Sequence, residues 1–231
     1  MKYLADGFVQ AFALLAALDA ETFAAVLASV KTTALALAVA AALGIPAGFA
    51  LGYGRFPGRR GLRLVSDTLL AFPTVLIGLL VYAFISRRGP LGGFGLLFSI
   101  AGMAIGSAIL ALPIAVSLTA QAVESLDPRV RDTALTLGAR GFRVALACLA
   151  ETRYQIMLAM VAAFGRVITE VGIAMMLGGN IKWETRTITT AIALETGKGD
   201  FARGIALGFV LLAIAFAVNA MLVALRRRAA R

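Results

Sequence analysis

The chain is expected to be an all-α integral membrane protein, with five transmembrane helices and an N-terminal interfacial helix. Three observations lead there. Of its 231 residues 61% are hydrophobic, and the mean hydropathy is +0.92, far above the half-apolar composition of a soluble domain. Five apolar runs are long enough to cross a hydrocarbon layer. The basic residues, which give a net charge of +10, fall in short clusters between those runs, while the aromatics sit inside them. The charge therefore reads as membrane topology, with no nucleic-acid partner.

Residues 1–22 carry one lysine and a short apolar stretch, but Asp6 and Gln10 interrupt it and Ala17-Leu18-Asp19-Ala20 is a poor cleavage site. An interfacial segment with Phe8, Phe12 and Leu15 dipping into the bilayer fits better than a signal peptide. The runs that follow are Phe23 to Gly52, Leu64 to Ile85, Gly95 to Thr119, Tyr154 to Gly178 and Phe201 to Leu225. Arginines concentrate after the first run (Arg55, Arg59, Arg60, Arg63), between the third and fourth (Arg129, Arg131, Arg140, Arg143, Arg153) and at the end (Arg226, Arg227, Arg228, Arg231). Five spans put these three segments on one side. Because lysine and arginine accumulate on the cytoplasmic side, the N-terminus is expected outside and the C-terminus inside.

Glycines recur every four positions at Gly44, Gly48 and Gly52, at Gly102 and Gly106, and at Gly204 and Gly208. Such spacing lets helix backbones approach closely and favours packing within the chain over a dedicated dimer face. Pro46, Pro73 and Pro113 lie within or near spans, where proline bends a helix. No linker or low-complexity stretch divides residues 1–231, which read as one transmembrane domain.

Covalent chemistry has little to work with. There is no histidine and a single cysteine, Cys148, which removes the commonest general base, the usual nucleophile pairs and any cysteine-built metal site within the chain. "ETGKGD" is not a phosphate loop: Ile192 stands where the first glycine is required and Gly199 where serine or threonine is. No cofactor or metal is expected. Lys31 can snorkel to the interface, Asn180 is suited to close a helix after Gly178 and Gly179, with a gate on the outer side as the weaker alternative, and Glu195 and Asp200 read as a solvated face in preference to a contact for an outside partner.

The longest connection on the arginine-rich side, residues 127–150, has Asp127-Pro128 as a helix start, a break at Gly138, and a second amphipathic helix, "FRVALACLA", leading into the fourth run. Within it "DTALTLGA" resembles the cytoplasmic signature of ABC-importer permeases. Asp132 takes the place of the usual glutamate, Thr133 and Ala134 of two alanines, and Gly138 of the glycine, within Leu137-Gly138-Ala139. The family's later Leu-Pro pair is here Leu149-Ala150. "GRVITEVGIAMMLGGNI" resembles the oxyanion branch of these permeases, and this stretch with "TRTITTAIALETGKGDFARGIALG" looks most like tungstate permeases, with molybdate and sulfate permeases as the alternatives. The resemblance implies a type I importer fold, a coupling helix that docks on separate ATPase subunits, a binding protein outside that delivers the anion, and a homodimer.

Arg166 and Glu170 stand four apart in an otherwise apolar run, so on a helix they share a face about 6 Å apart and can pair. Charges at mid-membrane cost roughly 2.5–3.5 kcal/mol on insertion scales and mark either a packing device or a pathway. Both readings stand: a structural lock, or a gate in which Arg166, Thr169 and Glu170 line the path of the anion. A stand-alone transporter or channel is the rival from another class, and only this pair would speak for it.

Overall fold

The computed structural model describes residues 19–229 and, singly, Val9 and Ala13. The expected interfacial helix with Phe8, Phe12 and Leu15 lies outside the described residues. Among those described the chain is helical, without strands: α1 (Ala20–Tyr53), α2 (Arg59–Leu69), α3 (Thr74–Ile85), a short 3-10 turn (Gly92–Phe94), α4 (Ile100–Glu124), α5 (Pro128–Thr136), α6 (Phe142–Glu151), α7 (Arg153–Ile168), α8 (Gly172–Gly178), α9 (Ile188–Gly197) and α10 (Phe201–Ala229). Helices α1, α4 and α10 are each long and apolar enough to cross a membrane, and the number reaches five if the bent pairs α2–α3 and α6–α7 each count as one span.

Three of the expected runs start or continue differently. The second is broken between Leu69 and Thr74, because Pro73 supplies no N–H and disfavours a helical Phe72; Pro73 instead sits extended just before α3. The third begins at Ile100 rather than Gly95. Gly95 and Phe98 both have positive φ, and the Ser99 hydroxyl accepts from the Gly102 N–H at 3.1 Å, which caps α4. The fourth is divided at 169–171, between α7 and α8.

The chain forms two compact units. One takes in the chain to Ala36, residues 73–107 and the chain from Gly165; the other takes in residues 37–72 and 108–164. In the first, Ala25, Ile188, Ala191, Leu207 and Val210 make the core in which α9 packs on α10. Helix α3 packs on α8, with Gly78 against Met176, whose sulfur would lie 2.8 Å from a Cβ there and would have to move aside. Asp19 caps α1 by accepting from the Thr22 N–H at 2.8 Å and hydroxyl at 2.6 Å. The Thr22 hydroxyl is the main reason its carboxyl is held below the usual range.

In the second unit the glycine ladder of α1 meets α4. A Cβ at Gly44 would lie 2.7 Å from the Ala115 Cβ, one at Gly48 2.5 Å from the Val116 carbonyl oxygen, and one at Gly52 2.6 Å from that of Ala120. The spacing thus serves packing within the chain. Leu51, Val116 and Ala120 fill the contact, with Leu112 against them.

Gly48→Ala should therefore destabilise the purified protein by about 1–3 kcal/mol through overpacking. Gly61→Ala, in open space on α2, should be neutral or stabilising by up to ~1 kcal/mol through helix propensity. Thermal unfolding of the two variants in detergent checks the contrast, and equal effects would disprove the close contact.

Candidate functional site

The interruption at 169–171 is built from its own residues. The Thr169 hydroxyl donates to the carbonyls of Gly165 at 2.8 Å and Arg166 at 3.3 Å, competing with the helical ladder there. Helix α7 ends at Ile168, so Arg166 and Glu170 do not share one continuous helix, as their spacing suggested. They still pair: Arg166 Nη1 lies 2.8 Å from Glu170 Oε2. The other carboxylate oxygen, Oε1, accepts from the backbone N–H of Gly172 at 3.0 Å and of Ile173 at 3.4 Å. Glu170 thereby serves donors at the start of α8 that no helical carbonyl can reach. Gly172 fits the short approach, because a Cβ there would sit 3.3 Å from Oε1.

Burial of the pair is uneven. Glu170 is 7% exposed, whereas the Arg166 side chain is 44% exposed. The carboxylate is the anchored partner. Of the guanidinium, only Nη1 makes a protein hydrogen bond among the described residues. The remaining donors form a planar fork that suits an oxyanion.

A third element holds the break. The buried Thr189 hydroxyl donates to the Glu170 carbonyl at 2.9 Å, and Thr187 and Thr190 form a reciprocal capping box at the start of α9. The Ile188 N–H reaches back to the Ser29 hydroxyl at 2.9 Å. Sequence reading passed over Thr189; its one signal was the run of hydroxyls in "TRTITT" inside apolar surroundings.

Between α8 and α9 the chain turns through Gly179, Asn180 and Trp183, all at positive φ. Asn180 follows the helix cap Gly179 and accepts from Arg186 Nε at 3.2 Å. The Thr185 hydroxyl binds both ends of the turn, donating to the Gly178 carbonyl and accepting from the Ile181 N–H. Glu21 gathers three cations: Arg186 at 2.6 Å, Lys182 at 2.9 Å and Arg203 at 3.6 Å. Glu195, expected on a solvated face, is 7% exposed and pairs with Lys198 at 2.9 Å. It lies inside α9, where the helix turns it inward.

The segment at 127–150 belongs to the other unit. The Asp127 carboxylate accepts from the Arg129 N–H at 2.9 Å and Pro128 opens α5. The helix closes with Gly138 at φ +83. The Gly138 N–H donates to the Leu135 carbonyl and the Ala139 N–H to that of Ala134, both at 3.0 Å, the pattern of a Schellman cap. Asp132 and Thr133 are exposed and Ala134 and Ala139 half-buried. Leu137 is 82% exposed and Phe142 78%. Helix α6 then meets α7 at a 60° bend.

Among the described residues, three helices of spanning length and two bent pairs that can each make a further span define a multi-pass membrane protein. The chain belongs to the family of binding-protein-dependent transport system inner membrane components, whose model matches residues 44–231. It is 42% identical to the tungstate uptake system permease protein TupB of Campylobacter jejuni over 95% of this chain and 92% of that one. It is 38% identical to TupB of Peptoclostridium acidaminophilum over 98% and 99%, and 31% identical to the molybdenum transport system permease protein ModB of Escherichia coli K12 over 73% and 76%. Its fold matches that of a bacterial ABC transporter involved in the import of the acidic polysaccharide alginate, with TM-score 0.70 and 19% identity over 96% of this chain and 83% of that one. The protein is therefore a multi-pass component of the inner membrane.

The geometry orders the variants of the pair. Glu170→Ala should cost about 2–4 kcal/mol, since it strips two backbone donors and the arginine at once. Glu170→Gln, which still offers an acceptor to α8, and Arg166→Met should each cost about 1–2 kcal/mol. Unfolding in detergent reads the order; equal losses for Ala and Gln would remove the capping role.

Proposed function

We propose that this chain is the membrane-spanning subunit of an ATP-driven ABC importer for tungstate. One observation carries the choice of anion: identity to tungstate uptake permeases is 42% and 38% over nearly the whole chain, against 31% for a molybdenum permease and 29% for the sulfate permease CysT of Salmonella typhimurium. In this reading two copies form the pathway, a binding protein delivers the anion outside, and separate ATPase subunits supply the energy inside. The N-terminus lies outside and the C-terminus inside, as the arginine clusters favour.

Residues 127–150 act as the coupling segment. The short helix capped at Gly138 offers Asp132, Thr133, Ala134, Leu137 and Ala139 to the ATPase, with Leu137 as the apolar knob. An apolar side chain so exposed in a segment beyond the spans is suited to a partner's groove. The pathway residues are Arg166, Thr169 and Glu170. Glu170 divides its charge between the start of α8 and one nitrogen of Arg166, leaving the rest of the guanidinium to meet a dianion. Thr169, whose hydroxyl proton is committed to backbone carbonyls, shapes the break rather than donating to the anion.

The test is uptake of tungstate by cells expressing the chain with an ATPase and a binding protein of the same system, and co-purification of the complex. The parent should carry tungstate and bring down the ATPase, and Leu137→Asp should abolish that association. The double variant Arg166→Met with Glu170→Gln, which keeps the acceptor for α8, should lower uptake about 10- to 100-fold, the loss of one charge-assisted contact. Parental uptake in the double variant would make the pair a packing lock only. An ATPase that never associates, or uptake of sulfate in preference to tungstate, would overturn the reading.

A further inference from the structure

Helix α2 is amphipathic in the reverse sense. Its polar face is fixed on the protein: Arg59 donates to the carbonyls of Leu51 at 2.6 Å and Gly52 at 3.2 Å and pairs with Glu124 at 2.6 Å. Arg63 donates to the Ser117 carbonyl at 2.7 Å, and the Ser117 hydroxyl donates to Asp67. None of its residues is buried, and Leu62, Val65 and Leu69, at i, i+3 and i+7, stand exposed on another face. A helix that turns arginines inward and leucines outward is at rest only against apolar surroundings, which hydrocarbon supplies.

At the head of this apolar strip two clefts meet. One of about 280 Å³ is lined in part by Tyr53, Arg55, Arg59, Asp127 and Arg131; one of about 480 Å³ is lined by residues 55–60, sharing Arg55 and Arg59 with it. Of the two carboxylates there, Glu124 is paired with Arg59, while Asp127 caps α5 through one oxygen and keeps its charge, so that Arg55, Arg59, Arg60 and Arg131 outnumber the carboxylates. Arg55, Arg60 and Arg131 have no ion-pair partner among the described residues. Arg131 only leans over the Tyr53 ring, 5.8 Å from its centre. Three guanidinium groups without an ion-pair partner among the described residues thus line these clefts at the head of α2.

We propose that this groove binds an anionic phospholipid. Its phosphate oxygens would be held by Arg55, Arg60 and Arg131 and its acyl chains would run along Leu62, Val65 and Leu69. Arginine matches phosphate with paired donors, and basic pockets beside spans on the cytoplasmic side take anionic headgroups. The assignment rests on the reading that residues 53–63 face the cytoplasm, and it is independent of which anion the protein carries.

Native mass spectrometry of the purified full chain in detergent, titrated with phosphatidylglycerol, phosphatidylcholine or inorganic phosphate, tests it without ATPase, binding protein or tungstate. A failure here therefore leaves the import reading untouched. Phosphatidylglycerol should bind with defined stoichiometry. Arg55→Gln, Arg60→Gln and Arg131→Gln together should weaken it about a hundredfold, about fivefold per arginine. Removing the same charge at Arg129, Arg140 and Arg143 should weaken it less than about fivefold. If the triple variant does not fold, the single Arg55→Gln and Arg131→Gln variants carry the test at about fivefold each. Equal loss in both triple variants, or none in the first, overturns the proposal. Inorganic phosphate occupying the groove as tightly as the lipid would make it a free-anion site and overturn the lipid assignment.

Discussion

A helix can be interrupted inside a bilayer only where every backbone group that the interruption frees finds a partner in the protein. At the break at 169–171 Glu170 meets a large part of that condition. One oxygen serves the first N–H groups of α8, the other holds Arg166, and the backbone carbonyl takes the Thr189 hydroxyl. Three elements therefore hang on one buried residue: the end of α7, the start of α8 and the first turn of α9. The carboxylate also meets the positive end of the α8 dipole, so it is stabilised from two sides while the arginine is stabilised from one. That inequality is why Glu170 is buried and Arg166 half-exposed.

The rest of the charge follows the same economy of partners. Of the arginine cluster after α1, Arg59 and Arg63 are used internally, so the cluster's count overstates what it presents to the surroundings. Arg55 and Arg60 have no ion-pair partner among the described residues. On the other unit Glu21 collects Lys182, Arg186 and Arg203, tying the start of α1 to the loop after α8 and to α10. Buried charge in the described residues is thus matched locally, as low dielectric demands.

Much of this was legible in the sequence because the bilayer imposes length and polarity rules that composition cannot disguise. The presence of the apolar runs, the Asp127-Pro128 helix start, the Gly138 break and the close approach at Gly44, Gly48 and Gly52 all follow from local chemistry and are found in the structure. The breaks in the second and fourth runs were harder. Hydropathy averages over Phe72 and Val171 and sees no gap, although Pro73 and the Thr169 back-bond both oppose continuous helix. Partners far apart in sequence were not legible at all. Glu21 meets Arg186 across 165 positions, and Glu195 looked like a loop acid until α9 turned it inward.

The framework alone does not choose a cargo. A TM-score of 0.70 at 19% identity to a transporter for an acidic polysaccharide means that the same helical arrangement tolerates almost complete change of side chains. Any selectivity that this chain itself adds has to come from side chains set on that frame. Within this chain the Arg166–Glu170 break sets a half-exposed guanidinium beside a backbone interruption; an anion that drew Arg166 away would leave a buried carboxylate still bonded to α8 through Oε1 but without its counter-charge. Anion contact and the break would then share one carboxylate through its two oxygens. That linkage, rather than charge alone, distinguishes a gate from a packing lock, because only a gate needs the arginine to have somewhere else to go.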